Sequence, residues 1–226
     1  MTPPAAGEDA ARTVLVWDLP TRLFHWLTVV LVAAAYVTER LNWMSWHVLA
    51  GTALLALLLF RLVWGLVGSE TARFAHFLTS PRAAVRHLAH AFRREPDAQI
   101  GHNPAGGWMV LLLLALLVAE VLTGIVVNND VADAGPLTER MPARFADAIT
   151  DLHTLLWYAL LAAMALHLAA IASYAVAKGH HLVRPMFSGR KQLPAPATPP
   201  RIASSALALV VLAGSAAAAA LLANFL

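Results

Sequence analysis

Five runs of the 226-residue sequence are each apolar over roughly twenty residues, the length a helix needs to cross ~30 Å of hydrocarbon. They cover about residues 22–38, 46–67, 108–127, 152–176 and 202–225. Composition points the same way: 59% of residues are apolar and 13% charged, against ~25% charged in soluble domains, and the mean hydropathy is +0.65. The expectation is an all-α membrane protein with five transmembrane helices. The first run is short, so it tilts little. It has a basic residue before it and "AAA" near its end, as a signal peptide does, but the histidine pairing argued below needs this helix to stay.

The charges orient the chain. With the N-terminus in the cytoplasm, the inner side holds thirteen basic residues: Arg12, Arg22, Arg61, Arg73, Arg82, Arg86, Arg93, Arg94, Lys178, Arg184, Arg190, Lys191 and Arg201. The outer side holds three, Arg40, Arg140 and Arg144. That asymmetry is the positive-inside pattern, and it sets the orientation with the N-terminus on the cytoplasmic side. It also accounts for the pI near 9.8, so nucleic acid is not needed as a partner. The outer loop between the third and fourth runs is mildly acidic, with Asp130, Asp133, Glu139, Asp147 and Asp151. Cysteine is absent, which excludes disulfides, thiolate metal sites, iron–sulfur clusters and covalently attached haem.

The long inner loop, residues 68–107, contains "SPRAAVRHLAHAFRRE". Ser80 suits an N-cap and Pro81 the first helical position. Val85, Leu88 and Phe92 recur at helical spacing, predicting a short amphipathic helix on the membrane surface with its basic residues toward anionic headgroups. "LPAPATPPR" is a Pro-rich linker. The expected organisation is a bundle domain over 1–192, the linker over 193–201 and the extra helix over 202–226.

Ten histidines remain to be placed. His76, His87, His90, His102, His180 and His181 fall in the inner loops, where solvated or interfacial side chains are the ordinary outcome; His102 sits at a helix entrance in "GHNPAGG". His25, His47, His153 and His167 lie in or at the ends of the spans, where an ionisable group is costly and functional by default. The first helix runs outward and the second and fourth run inward. His47 and His153 therefore share an outer depth, and His25 and His167 an inner one. His153 and His167 are 14 residues apart, which at ~100° per residue puts them about 40° from alignment and ~21 Å apart along the axis. One helix thus offers two imidazoles on one stripe, and two other helices each offer one at matching depth.

Two imidazoles on facing helices suit a b-type haem with both axial positions filled, an arrangement for electron transfer rather than oxygen binding. Two such haems ~20 Å apart would carry an electron across most of the membrane. A bare zinc or iron ion needs three or four ligands at one point, whereas these residues divide two and two. Purely structural histidines are the blander reading. Small residues near the histidines, Ala50, Gly51, Ala53, Ala159, Ala162, Ala163, Ala165 and Gly124, leave room for a macrocycle or simply allow close helix packing.

The blocks "VWDLPTRLFHW", "WHVLAGTALLALLLFRLVWGLVGS", "GHNPAGGWMVLLLLALLVAEVLTG", "LHTLLWYALLAAMALHLAA" and "LVRPMFSGRK" resemble, in that order, the bacterial cytochrome b561 family and, more broadly, the di-haem b subunits that serve membrane-bound hydrogenases. The resemblance covers about residues 13–191. It implies a four-helix core holding two haem b groups, with axial pairs His25–His167 and His47–His153, and quinone as an exchangeable substrate. The fifth helix lies outside the family core, and Glu120 stands where the family often has a neutral polar residue. Glu120 is then a proton relay to quinone, a tuner of the outer haem, or a protonated acid bonded to a neighbouring helix.

For the propionates of the inner haem the candidates are Arg22 and Arg61, with Arg61 otherwise snorkelling to the surface. For the outer haem they are Arg40, Arg140 or Arg144. The expected function is electron transfer between the quinone pool and a redox partner, a periplasmic cytochrome c or an oxidoreductase subunit, within membrane lipid; a homodimer is compatible with it. The rival readings are a superoxide:quinone oxidoreductase, a cytochrome b subunit of a hydrogenase-type complex, and a non-redox transporter or anchor, the last disfavoured because no inverted repeat is visible.

Overall fold

The computed structural model describes residues 12–89, 99–127, 142–194 and 198–225. His90, Phe92, Arg93, Arg94, Asp130, Asp133, Glu139, Arg140 and part of the Pro-rich linker lie outside the described residues. The described chain runs β1 (Arg12–Leu15), α1 (Leu19–Arg40), α2 (Met44–Val67), a 3₁₀ turn (Glu70–Ala72), α3 (Phe74–Phe77), α4 (Pro81–Ala89) and α5 (Pro104–Gly124). It continues through α6 (Ala143–Ser173), a π-helical turn (Tyr174–Lys178), α7 (Val183–Ser188), β2 (Arg190–Leu193) and α8 (Ser205–Phe225). Five of these helices, α1, α2, α5, α6 and α8, are long and apolar enough to cross a bilayer. The chain is a multi-pass, all-α membrane protein.

Capping explains where the helices begin. α1 starts three residues before its apolar run because the Asp18 carboxylate accepts a hydrogen bond from Thr21 N at 2.7 Å and Pro20 sits in the first turn. α5 starts at Pro104 for the same reason, with Asn103 Oδ1 accepting from Gly106 N at 2.7 Å. α4 has the expected start, Ser80 Oγ accepting from Ala83 N at 3.3 Å, and its Val85 and Leu88 are exposed as a surface-lying helix requires. α6 departs most from its apolar run, beginning nine residues earlier at Ala143. Hydropathy sees only the oily stretch, whereas helix periodicity continues outward through Ala146, which is buried, with Arg144, Asp147 and Asp151 on the exposed side.

α1 and α2 form an antiparallel pair closed by a three-residue turn in which Asn42 adopts a left-handed φ of 56°, a conformation asparagine tolerates. α5 and α6 pack together, and α5 also packs on α2. The apolar centre is Val32 of α1, Leu54 and Leu58 of α2, Leu114 and Leu117 of α5 and Leu160 of α6. Tyr36 of α1 stacks on Trp157 of α6, ring centres 5.4 Å apart.

At the end where the chain enters the bundle, a two-stranded antiparallel sheet pairs Arg12 with Leu193 and Leu15 with Arg190. Val14, Val16, Trp17 and Leu193 are buried there together. Gly189 makes the return possible: its φ is +75°, its carbonyl accepts from Val16 N at 2.8 Å, and a Cβ would stand 2.7 Å from the Trp17 carbonyl oxygen.

The C-terminal helix is integral to the bundle. α8 lies along α2, with Ala208 packed in the cluster of Phe60, Trp64 and Ala72. Its approach is fixed by Glu70 N donating to Arg201 O at 2.9 Å, Arg201 N to Glu70 Oε2 at 2.8 Å, and Ala203 N to Ser69 Oγ at 2.9 Å.

Candidate functional site

The four span histidines occupy two levels. His47 stands in the first turn of α2. Its Nδ1 lies 2.8 Å from the Ala35 carbonyl oxygen of α1. A carbonyl only accepts, so Nδ1 carries the proton and Nε2 keeps its lone pair for a metal. His153 of α6 is held in the same way by α5: Nδ1 is 3.0 Å from the Glu120 carbonyl oxygen and 3.0 Å from Thr123 Oγ1. The Thr123 hydroxyl is itself directed to the backbone, with Ala119 O at 2.8 Å. Its oxygen is thereby free to accept from Nδ1–H. His47 and His153 are within electrostatic range of one another.

Three α5 residues crowd His153. Glu120 Oε1 lies 3.5 Å from Nε2, and Glu120 Oε2 is buried without a partner. A Cβ on Gly124 would stand 3.2 Å from His153 Cε1. Beside His47 there is space instead: a Cβ on Gly51, one turn further along α2, would meet nothing within 4 Å.

At the other level, His25 of α1 and His167 of α6 are within electrostatic range of each other. His25 Nδ1 is buried with no hydrogen-bond partner, and the ring meets Trp26 edge-on at 4.8 Å. His102, at the mouth of α5, is in electrostatic range of both and of Arg61. It is wedged between Trp17 at 4.6 Å and Phe77 at 4.8 Å. Loss of solvent around it, reinforced by Arg61, pushes its pKa well below the ordinary histidine value, so it is neutral at physiological pH.

The two predicted arginines behave differently from free surface cations. Arg61 does not snorkel: it is 3% exposed, donates from Nη1 to Ala72 O at 3.1 Å, and lies over the rings of Phe74 at 4.9 Å and Phe77 at 5.9 Å. Arg22 Nη1 donates to the Phe187 carbonyl, while its Nε is buried and unpartnered. Arg40 ends α1 and Arg144 lies over Phe145 at 5.0 Å, at the far end. Sequence reasoning missed Thr123 as a support of His153. The signal was present, since Glu120, Thr123 and Gly124 follow the i, i+3, i+4 spacing of one helix face.

These residues suit haem better than a bare ion. Among the described residues no three His, Cys, Asp or Glu converge as an ion would need. Two imidazoles with Nδ1 tied back to carbonyls, open space beside Gly51 and unpartnered donors at His25 and Arg22 fit a macrocycle with acidic propionates. The fold and these side chains describe a b-type cytochrome of the membrane. The chain belongs to the prokaryotic cytochrome b561 family, whose family model matches residues 16–189.

It is 26% identical over 155 residues to a probable Ni/Fe-hydrogenase B-type cytochrome subunit of Bradyrhizobium diazoefficiens, covering 56% of this chain and 63% of that one. It is 25% identical over 142 residues to a probable Ni/Fe-hydrogenase 1 B-type cytochrome subunit of Escherichia coli K12, covering 51% and 60%. The chain thus spans less than two thirds of the length of these curated relatives.

Proposed function

We propose that the protein moves electrons across the bacterial inner membrane through two b haems held by His25–His167 and His47–His153, linking the quinone pool to a redox partner. The N-terminus is cytoplasmic, which makes His25–His167 the inner pair. The observation that carries this reading is the placement of the histidines: two levels, with both outer rings pinned through Nδ1. When bound, haem b supplies a one-electron iron couple. The chain fixes the two outer imidazoles against rotation, and the buried apolar cluster that includes Leu58, Leu114 and Leu160 fills the bundle centre. Arg61 and Arg22 lie at the inner level to neutralise propionates, and Glu120 sets the charge beside the outer one. The likeness to hydrogenase cytochrome subunits favours one form of the partner, the catalytic subunit of a hydrogenase-type complex, over a free periplasmic cytochrome c.

The test is a reduced-minus-oxidised visible spectrum of purified protein with haem quantified as pyridine haemochrome. Two low-spin b haems per chain are expected, both reduced by a short-chain quinol. One haem or none per folded chain would remove the two-level reading. Gly124 gives a finer check. Gly124→Ala, with its Cβ 3.2 Å from the His153 ring, keeps two haems but changes one low-spin electron paramagnetic resonance signal. Gly124→Leu drives the ring off its carbonyl and leaves one haem.

A further inference from the structure

We propose that the basic end of the bundle carries a site for anionic phospholipid, built by the surface helix α4 and the π-helical turn that ends α6. Tyr174, the first residue of that turn, is its centre. Three basic residues gather on its ring and hydroxyl. His87 of α4 has Nε2 2.6 Å from the Tyr174 hydroxyl oxygen. Lys178 Nζ lies over the ring, 5.3 Å from its centre, and the His180 ring is 6.4 Å away. The backbone turns His180 back onto Tyr174: Gly179 takes a left-handed φ of 73°, and His180 N donates to Tyr174 O at 3.1 Å.

Arg82 and Arg86 add two fixed charges one turn apart on α4. Like charges repel, so a group of this kind calls for an anion. The two segments supply none: the sequence has no Asp or Glu between Glu70 and Glu95, and none after Asp151.

The apolar surface beside these charges selects a lipid over a soluble anion. On the helical wheel of α4 the Arg82–Arg86 flank lies about 110° from the Val85–Leu88 flank, and the buried Ala84 faces away from both. Val85 is 66% and Leu88 55% exposed, and Val176 in the π turn is 82% exposed. A membrane interface takes such a flank among acyl chains and leaves the guanidinium groups at the level of the phosphates. Depth agrees. α4 packs on α5, and Trp108 Nε1 of α5 donates to Thr79 O, just ahead of α4, at 3.1 Å; tryptophan is a residue of the membrane–water boundary. An acidic protein surface would answer the charges, but an apolar flank at the level of Trp108 favours lipid.

The test uses the haem-loaded full chain. In native mass spectrometry from dodecyl maltoside, dioleoyl phosphatidylglycerol should bind at least tenfold more tightly than dioleoyl phosphatidylcholine, which has the same chains and no net charge. A basic residue near an anionic surface is worth about fivefold in binding. Arg82→Gln combined with Lys178→Gln should therefore lower the preference at least tenfold, with wild-type haem content and visible spectrum. Arg144→Gln, at the far end of the bundle, should change it less than twofold. The chain has no cysteine, so Val85→Cys takes a single bimane label. Its emission should be blue-shifted in phosphatidylglycerol nanodiscs and quenched there by doxyl-labelled lipid. Equal binding of the two lipids by wild type overturns the proposal, as does a double variant with the wild-type preference, or a label that stays in water. If inorganic phosphate displaces phosphatidylglycerol at equal concentration, the site is one for soluble phosphate. If a polyglutamate peptide displaces it and the label stays in water, the face is one for protein. Either result overturns the lipid site.

Discussion

Replacing His153 with alanine should yield a folded protein with one b haem per chain in place of two. The expectation follows from how the ring is held. His153 has its Nδ1 engaged by the Glu120 carbonyl and Thr123, so in the proposed ligation Nε2 is the nitrogen that would meet iron, and alanine offers no substitute ligand. His47→Ala should remove the same haem, because His47 is the ring at that level on α2. His25→Ala and His167→Ala should each remove the other haem. The four variants therefore sort into two spectral classes, read by pyridine haemochrome and by redox titration, in which each class retains one of the two wild-type midpoint potentials.

The levels should behave independently because the buried cluster that includes Leu58, Leu114 and Leu160 fills the bundle centre, and α6 runs unbroken from Ala143 to Ser173. The two rings on α6 are ~21 Å apart along its axis, beyond the range over which substitutions without shared partners usually couple. Thr123→Val is the milder companion. It removes a hydroxyl acceptor but leaves the Glu120 carbonyl, so two haems remain and one potential moves. A histidine variant that lost both haems while remaining folded, or a mixed sorting such as His25 with His47, would contradict the pairing.

Much of this was legible in the sequence for a simple physical reason. Bilayer thickness sets the length of each span, and helix geometry turns sequence spacing into depth and azimuth. The 14-residue step from His153 to His167 needs no tertiary information. What local spacing cannot convey is contact between distant segments. The pairing of Arg12–Leu15 with Arg190–Leu193 joins residues far apart in the chain. The burial of Arg61 depends on Phe74 and Phe77, which arrive from a loop. The early start of α1 depends on Asp18, a charged residue that hydropathy counts against a helix although it caps one. The placement of α8 along α2 rests on the bonds from residues 69–70 to residues 201 and 203, which its Ala-rich sequence does not advertise.

Asp18 also carries the largest expected effect on stability. Its carboxylate is 3% exposed and has two jobs. Oδ1 accepts from Thr21 N at 2.7 Å, capping α1, and Oδ2 accepts from Trp64 Nε1 at 3.0 Å, joining α1 to α2. It also lies within electrostatic range of the buried Arg61. In Asp18→Ala the cap is lost, at about 1 kcal/mol. The Trp64 indole N–H, in a side chain 0% exposed, is left without an acceptor, at about 1–3 kcal/mol. The sum, about 3 kcal/mol, corresponds to a fall in Tm of roughly 6–12 °C for a chain of this size.

Asp18→Asn should fall between wild type and Asp18→Ala. An amide oxygen can still cap Thr21 N, but its NH₂ then meets the indole N–H donor to donor. Trp64→Phe removes the donor, so Asp18→Ala added to Trp64→Phe should cost little more than the lost cap. That non-additivity is what a direct bond predicts. Thermal unfolding of the haem-loaded protein in detergent provides the readout. If Asp18→Ala melted within about 2 °C of wild type, or if the double variant lost the full sum of the two single effects, then the Asp18–Trp64 bond would not be what fastens the first two helices together.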